Sequence, residues 1–202
     1  MNKQIVLLIS TLIFLSGCIT SQPSKFYILT PTKYSSDQSS SFKNIKLGLG
    51  PISIAKYLDR SQLVVRLTQN QIRLEDFHQW AGSPRDDIPA IILENISNIL
   101  KVDTIYKYPW RSNADIDYQV VVEIIQLDGR PDTSVRVVAR WEILNADNLR
   151  TIKVGRADFT EPVSETLTES FSGNMFDSFV ATQSRAIGKL STMIAKSLIA
   201  LN

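Results

Sequence analysis

Apolar and polar residues alternate with a period of two along much of the chain, a pattern typical of strands with one buried face. The predicted strands are residues 26–29, 45–54, 63–67, 72–77, 116–124, 135–143 and 152–159. Gln69-Asn70 lies between the third and fourth strands and predicts a hairpin there. Asp128-Gly129 predicts the turn of a second hairpin, because Asp-Gly suits two-residue turns.

The apolar period changes to that of a helix in two places. Ser83-Pro84 offers a capping hydroxyl and a proline for the first helical position, and so predicts a helix over residues 84–100. A second helix is predicted from Met175 to Leu201. Its apolar stripe consists of Phe176, Val180, Ile187, Leu190, Ile194, Leu198 and Leu201. Such a stripe is typical of a helix packed on a sheet, and a partner-helix groove or a self-association seam is the alternative.

The order of strands, helix, strands and helix predicts one α/β (α+β) domain. We expect a mixed, twisted sheet with both amphipathic helices packed on one face. This globular domain is predicted to cover residues 43–202. Residues 18–42 are predicted to be a flexible tether that contains a short apolar strand, because Thr30 to Ser41 is rich in serine and poor in apolar surface.

The first residues of the chain indicate export. Lys3 precedes an uncharged run from Ile5 to Leu15, which is shorter than the roughly 20 apolar residues that span a bilayer. The pattern predicts a secretory signal peptide over residues 1–17. Leu15-Ser16-Gly17-Cys18 resembles a lipobox, and Cys18 is the only cysteine in the chain. A chance LSGC within an ordinary signal peptide or membrane anchor is the alternative.

A lipobox implies a covalent diacylglycerol and an N-acyl chain on Cys18. Several acyl chains would make the anchor effectively permanent, because each buried CH₂ contributes roughly 0.8 kcal/mol. Residue 19 is Ile and not Asp. In bacteria resembling enterobacteria, Asp at that position retains lipoproteins in the inner membrane. Ile19 therefore favours the outer membrane, with the domain on its periplasmic face.

Composition and motifs argue against catalysis and against nucleic-acid binding. The chain has 22 basic and 20 acidic residues, a formal charge of +2, and no clustered basic stretch of the kind that binds nucleic acid. His78 is the only histidine, so we expect no common zinc site. No nucleophile elbow and no phosphate-binding glycine loop occurs. We expect no enzyme activity, no metal and no cofactor; an envelope hydrolase that uses His78 is the alternative.

Aromatic residues in polar surroundings are the candidate contact sites. Trp80 precedes the first helix, while Tyr108 and Trp110 precede a strand. Trp and Tyr with Arg nearby are enriched among the residues that dominate protein interfaces. Alternatively, Trp80 and Trp110 fill the ends of the core and donate their indole N–H groups to loop carbonyls.

Several short motifs occur in an order that is characteristic of one family. They are Gly50-Pro51-Ile52, the stretch from Tyr57 to Arg66 (YLDRSQLVVR), Trp80-Ala81, Tyr108-Pro109-Trp110 and Ala139-Arg140-Trp141. On these residues the chain resembles the PqiC-like family of ABC-type transport auxiliary lipoproteins, over nearly its whole length. It departs from the family at Ala81-Gly82-Ser83-Pro84, where Trp-Ala-Glu-Pro-Leu is common.

The resemblance implies a fold similar to the N-terminal domain of TolB. It also implies an outer-membrane partner of inner-membrane transporters built around MCE-domain proteins, which move lipids and support envelope integrity. Homo-oligomers are compatible with this role. The candidate interface residues are Tyr57, Arg60, Trp80, Tyr108 and Trp110. The alternative is a periplasmic lipid-binding module that holds an acyl chain between the helix at 175–201 and the sheet.

Overall fold

The structure, a computed structural model, describes residues 22–34, 45–102, 104–111, 115–164 and 175–201. The strands are β1 (Lys25–Tyr27), β2 (Leu47–Ile54), β3 (Gln62–Thr68), β4 (Gln71–Trp80), β5 (Ile105–Lys107), β6 (Tyr118–Arg130), β7 (Ser134–Asn145) and β8 (Thr151–Pro162). The helices are α1 (Pro84–Leu100) and α2 (Met175–Ile199). No helix within these ranges is both long enough and apolar enough to span a bilayer.

The strands form one mixed sheet that is organised around β6. β7 is antiparallel to β6 along its whole length, and β8 continues that side of the sheet. The other edge of β6 is shared: β2 runs parallel to its first half, and β3 meets it at Val65 and Gly129. β5 lies parallel to β2, whereas β4 pairs with β3 and β1 with β4. The predicted mixed sheet is confirmed, as is the single α+β domain.

The core lies between the sheet and the two helices. α2 packs against β7 and β8, and α1 packs against α2, β2 and β5. The predicted apolar stripe of α2 is buried from Phe176 to Leu198, with Leu201 half-buried. The fully buried Asn95 of α1 places its Nδ2 3.5 Å from the Ser191 hydroxyl of α2. The stripe is therefore core packing and not a free groove.

The bounds predicted for α1 are confirmed, but its N-terminal cap differs from the prediction. Ser83 is extended, and its carbonyl accepts hydrogen bonds from the N–H groups of Asp86 and Asp87, both 2.9 Å. Its hydroxyl makes no capping bond. Pro84 still begins the helix, and the two aspartates place negative charge at the positive end of the helix dipole.

The segment predicted as a tether is partly packed on the domain. Tyr27 and Leu29 belong to the core. The Thr32 N–H donates to Asn95 Oδ1 at 2.9 Å, and the Tyr34 hydroxyl donates to the Gly188 carbonyl at 2.7 Å. The serine-rich composition that predicts flexibility from Thr30 does not show these polar partners, which lie far along the chain. Residues 35–42 lie outside the described ranges, as do the signal peptide and Cys18.

Gly188 explains how that segment approaches α2 so closely. A Cβ at this position would overlap the Thr32 side chain and stand 3.0 Å from the Tyr34 hydroxyl oxygen. The helix therefore gives up about 1 kcal/mol of helix propensity at Gly188, and the N-terminal segment lies in the space this leaves.

The second hairpin is confirmed, but the predicted position of its turn is wrong. Asp128 and Gly129 lie inside β6, and the turn is formed by residues 131–133. β6 continues to Arg130, and it contains a β-bulge between Ile124 and Gln126. Because a bulge adds one residue to one strand, the side chains beyond it change faces. Asp128 thereby comes to lie opposite Arg136 of β7, on the sheet face away from the helices.

Candidate partner-binding site

A buried carboxylate organises the sheet face away from the helices. Asp128 is fully buried, and Arg66 binds it with two nitrogens, Nε to Oδ1 at 2.6 Å and Nη2 to Oδ2 at 2.7 Å. The Tyr57 hydroxyl donates to Oδ2 at 2.6 Å, and Gln126 Nε2 donates to Oδ1 at 2.8 Å. Such a bidentate, charge-assisted arrangement is the strong form of an ion pair.

The protonation states of this cluster follow from its contacts. Burial raises the pKa of Asp128, but the hydrogen bonds from Arg66, Tyr57 and Gln126 outweigh it, so the pKa lies below its ordinary value. Burial, and then the hydrogen bond to Asp128, raises the pKa of Tyr57. The hydrogen bond to Asp128 also raises the pKa of Arg66. At neutral pH the cluster is an ionised Arg–Asp pair with a neutral tyrosine.

A cleft of about 580 Å³ opens above this cluster, between the β3–β4 turn and strands β6 to β8. Its charged lining residues are Arg66, Asp128, Arg130 and Arg136. Each arginine already has a carboxylate partner: Asp128 for Arg66, Asp132 for Arg130 and Asp158 for Arg136. The cleft is thus polar but nearly balanced in charge, and it does not present an unpaired cation to an anionic ligand.

Two of the candidate interface residues hold this cluster together. Tyr57 is half-buried, its hydroxyl is bound to Asp128, and the Arg66 guanidinium carbon lies 5.8 Å from its ring centre. Arg60 Nε donates to the Tyr57 carbonyl at 2.8 Å. Asp59, in the same stretch, accepts from Arg85 Nε at 2.9 Å. Tyr57, Asp59 and Arg60 of this motif thus each make a hydrogen bond within the domain.

Tyr108 and Trp110 have a different environment. Their rings form an edge-to-face pair with centres 5.4 Å apart, and the side chain of Tyr108 is 49% exposed. Trp110 lies over Gly48 of β2, where a Cβ would stand 3.1 Å from its ring atoms. Gly50 has φ +123°, and a Cβ there would lie 2.5 Å from Tyr108 Cβ. The glycines of β2 therefore let the aromatic pair lie directly on the strand while one ring stays open to solvent.

Trp80 is a core-end residue. Its half-buried ring packs against the core, and with Leu58, Val64 and Pro84 it lines a residual space of about 10 Å³. Its backbone N–H donates to the Ser61 carbonyl at 2.7 Å. The structure thus separates the two tryptophans: Trp80 completes the core, whereas Trp110 lies on the sheet with the exposed Tyr108.

His78 is engaged on both sides. Its Nδ1 lies 2.7 Å from the Tyr27 hydroxyl, and its ring stacks on Phe176 with centres 3.8 Å apart. Burial lowers its pKa below the ordinary value, so the imidazole is neutral at pH 7. No group of three or more metal-binding side chains occurs among the residues that the structure describes.

The described residues form a small α+β domain with a polar cleft beside the Asp128 cluster and an aromatic pair whose Tyr108 ring is exposed. The family model for the ABC-type transport auxiliary lipoprotein component matches residues 27–195. The chain therefore belongs to this family, as its resemblance to the PqiC-like proteins predicts. Its members are auxiliary components of ABC-type transport. No curated protein sequence matches the chain.

Solved structures share the fold. Protein XCC0632 of Xanthomonas campestris, from the DUF330 family, is 14% identical, covers 89% of this chain and 100% of its own, and superposes with a TM-score of 0.66. An uncharacterised protein is 15% identical, covers 88% of this chain and 99% of its own, and has a TM-score of 0.64. At these identities the likeness shows the fold alone.

Proposed function

We propose that this chain is an outer-membrane lipoprotein, anchored through acyl chains on Cys18, that serves as the non-catalytic docking subunit of an MCE-type or ABC-type lipid transport system. In this role the domain receives the end of a periplasmic assembly and thereby supports envelope integrity. The observation that carries the proposal is the Tyr108–Trp110 pair, held on β2 with the Tyr108 ring exposed, in a protein whose family is an auxiliary part of ABC-type transport.

The distance between Cys18 and β1 supports a membrane-proximal domain. Lys25, the first residue of β1, is seven positions after Cys18 (25 − 18). Even a fully extended chain spans at most about 25 Å over that length. Because residues 25–34 are packed on the domain, an acylated Cys18 would keep the whole domain near the bilayer surface. A partner must therefore come to the membrane to meet it.

The chemistry of the described residues supports a non-catalytic role. The imidazole of His78 is occupied by Tyr27 and Phe176, and the carboxylate of Asp128 by Arg66, Tyr57 and Gln126. Side chains with such internal contacts stabilise the fold. A docking subunit needs rigid contact residues and no reactive ones.

The alternative role, a module that itself carries an acyl chain, is not proposed because of how α2 packs. The apolar stripe of α2 faces β7 and β8, and the side chains between them are fully buried, among them Phe179, Ile187 and Leu190. An acyl chain would need an apolar cavity of several hundred Å³, whereas the space beside Trp80 measures about 10 Å³.

The proposal is tested by site-specific photocrosslinking in cells. A photoreactive amino acid replaces Tyr108 in the full-length chain, and captured proteins are identified by mass spectrometry. Phe77 is the matched control, since it is an aromatic residue of similar exposure, 41%, on β4. We expect an MCE-domain protein or its transporter to be captured at 108 and not at 77. Correctly anchored protein that captures no transport component at 108 would contradict the docking role.

A further inference from the structure

Two apolar side chains near the start of the described chain face solvent. Phe26 of β1 is 64% exposed, and Ile28, just after that strand, is 63% exposed. Tyr27 and Leu29, which alternate with them, belong to the core. Because successive side chains of an extended segment point to opposite sides, this segment divides its apolar residues between the core and the solvent.

Phe77 of β4 extends this exposed surface. Phe26 lies opposite Gln79 in the parallel pairing of β1 with β4, so Phe77 lies one diagonal step from Phe26, with Cα atoms about 8 Å apart. His78 points inward, since its ring stacks on a side chain of α2, whereas Phe77 is 41% exposed. Phe26, Ile28 and Phe77 thus form an apolar patch, the N-terminal patch, on the side of the sheet away from the helices.

The position of the patch along the chain indicates what covers it. Single exposed apolar residues are ordinary, but a group of them marks contact with a membrane or a macromolecule. The patch begins eight positions after Cys18 (26 − 18), and a fully extended chain of that length spans at most about 29 Å. An acylated Cys18 would therefore hold the patch within reach of the bilayer. A connection this short raises the effective concentration of lipid at the patch.

The charges of the same segment suit a phospholipid surface. From Cys18 to Tyr34 the chain carries two basic residues, Lys25 and Lys33, and no acidic residue. Both lysines are exposed. Lysines close to an anionic leaflet are attracted to it, and a lysine stem can lie along apolar surface while its ammonium group stays in water. The segment thus combines apolar side chains with positive charge.

We propose that the N-terminal patch lies in the interface of the membrane that carries the Cys18 anchor, against phospholipid headgroups and the adjoining acyl chains. This inference rests on the acylation of Cys18 that is proposed above. Apolar surfaces with basic neighbours bind about 5–10 Å deep in this zone. The contact gives the domain a fixed orientation on the membrane, which acyl chains alone do not impose.

The patch and the Tyr108–Trp110 pair lie on different branches of the sheet. β1 is connected to β6 through β4 and β3, whereas β5, which Tyr108 follows, is connected to β6 through β2. The membrane contact therefore involves none of the residues proposed to meet the transport partner. It can be measured in the absence of that partner.

Lipid contact is measured at residue 28 in the acylated lipoprotein, reconstituted into vesicles of phosphatidylethanolamine and phosphatidylglycerol. Ile28→Cys is labelled with an environment-sensitive fluorophore, since an acylated Cys18 has no free thiol. Val154→Cys is the matched control, because Val154 is 67% exposed on β8, at the other edge of the sheet. With nitroxide-labelled phospholipid present, we expect quenching at least about threefold stronger at residue 28 than at 154, because an interfacial residue lies at the acyl boundary.

A charge placed in the patch tests whether the apolar side chains make the contact. In the Ile28→Cys background, Phe26→Glu should reduce quenching to the level seen at residue 154, because a carboxylate is costly to remove from water. Ile152→Glu is the matched substitution, since Ile152 is an exposed apolar residue, 44%, on β8. It should leave quenching at residue 28 unchanged. If Phe26→Glu does not fold, Phe77→Glu makes the same test.

Three results would overturn the proposal. The first is folded, acylated protein with equal quenching at residues 28 and 154; because the mass of the protein reports its acyl chains, the anchor would then stand and only the patch would fail. The second is a fluorophore at residue 28 that is shielded from water but not quenched by labelled lipid, which would assign the patch to contact with a protein. The third is Cys18 without acyl chains, which would contradict the anchor and this inference together.

Discussion

The stretch from Tyr57 to Arg66 and the Tyr108–Trp110 pair are both family motifs, but their polar and aromatic groups are used in opposite ways. Tyr57 and Arg66 donate hydrogen bonds to the buried carboxylate of Asp128. The Tyr108 ring is half-exposed beside Trp110. Both rings lie on β2, whose glycines leave room for them. The difference teaches that a motif residue is a candidate for binding a partner when its side chain is exposed to solvent. A residue whose partners lie within the domain holds the fold.

The largest effect is expected from removing the buried charge. Asp128→Asn keeps the shape of the side chain but leaves the Arg66 guanidinium without its counter-charge. Breaking a buried pair costs about 3 kcal/mol, so we expect a loss of that size in the free energy of unfolding by urea. Asp132→Asn, which breaks the exposed pair with Arg130, should cost under about 1 kcal/mol. Equal losses of unfolding free energy in the two variants would show that the buried Asp128 pair is no more stabilising than the exposed Asp132 pair.

The next effect concerns the strand beneath the aromatic pair. Gly50→Ala forces a side chain into positive φ and toward Tyr108 Cβ. Strain of this kind costs about 2 kcal/mol, measurable as a lower unfolding midpoint. If the pair is also displaced, photocrosslinking from position 108 should fall with it. Unchanged crosslinking in a destabilised Gly50→Ala variant would show that the glycine does not set the position of the rings.

A smaller effect is expected from Tyr57→Phe. The variant removes one donor from Asp128 while Arg66 and Gln126 remain bound to it, so we expect a loss of about 1 kcal/mol. Partner capture from position 108 should not change. Loss of capture without loss of stability would instead make Tyr57 a contact residue, as the motif suggests.

The pH dependence of stability follows from the lowered pKa of Asp128. In the window between the lowered folded value and the ordinary unfolded value of about 3.9, the unfolded chain binds more protons. Stability from this group is therefore complete above the unfolded pKa and is lost as the pH falls through the folded one. The stability difference between wild type and Asp128→Asn should shrink below about pH 4. A difference that does not change with pH would mean that the charge is not what stabilises the cluster.

Much of the fold could be predicted because its apolar periods are regular. The start of α1 follows from Pro84, the apolar stripe of α2 follows from helical spacing, and the two hairpins follow from alternation. The bulge at Ile125 could not be read in this way, since a single extra residue leaves no mark in the pattern while it turns Asp128 to the other face. Asp128-Gly129 looked like a turn because Asp-Gly is a common turn dipeptide, whereas β6 continues to Arg130.

The candidate site was only partly accessible from the sequence. Tyr57, Trp80, Tyr108 and Trp110 stand out as aromatic motif residues, but their exposure depends on contacts between distant segments. Asp128 was missed, although a signal existed: Arg66 interrupts an apolar run on one strand, and Asp128 directly follows Leu127 on another. Charges in such positions need partners, because an unpaired buried charge is costly. The packing of residues 30–34 depends on Asn95 and Gly188, which lie far along the chain.

The central claim is that Tyr108 meets the transport partner while the Asp128 cluster only holds the fold. The most direct measurement is in-cell capture of the MCE-domain protein or its transporter by the full-length lipoprotein, compared between Tyr108→Ala and Tyr57→Phe at equal amounts of anchored protein. We predict that capture falls at least about tenfold with Tyr108→Ala, as expected for an interface anchor, and is unchanged with Tyr57→Phe. Undiminished capture with Tyr108→Ala would contradict the account.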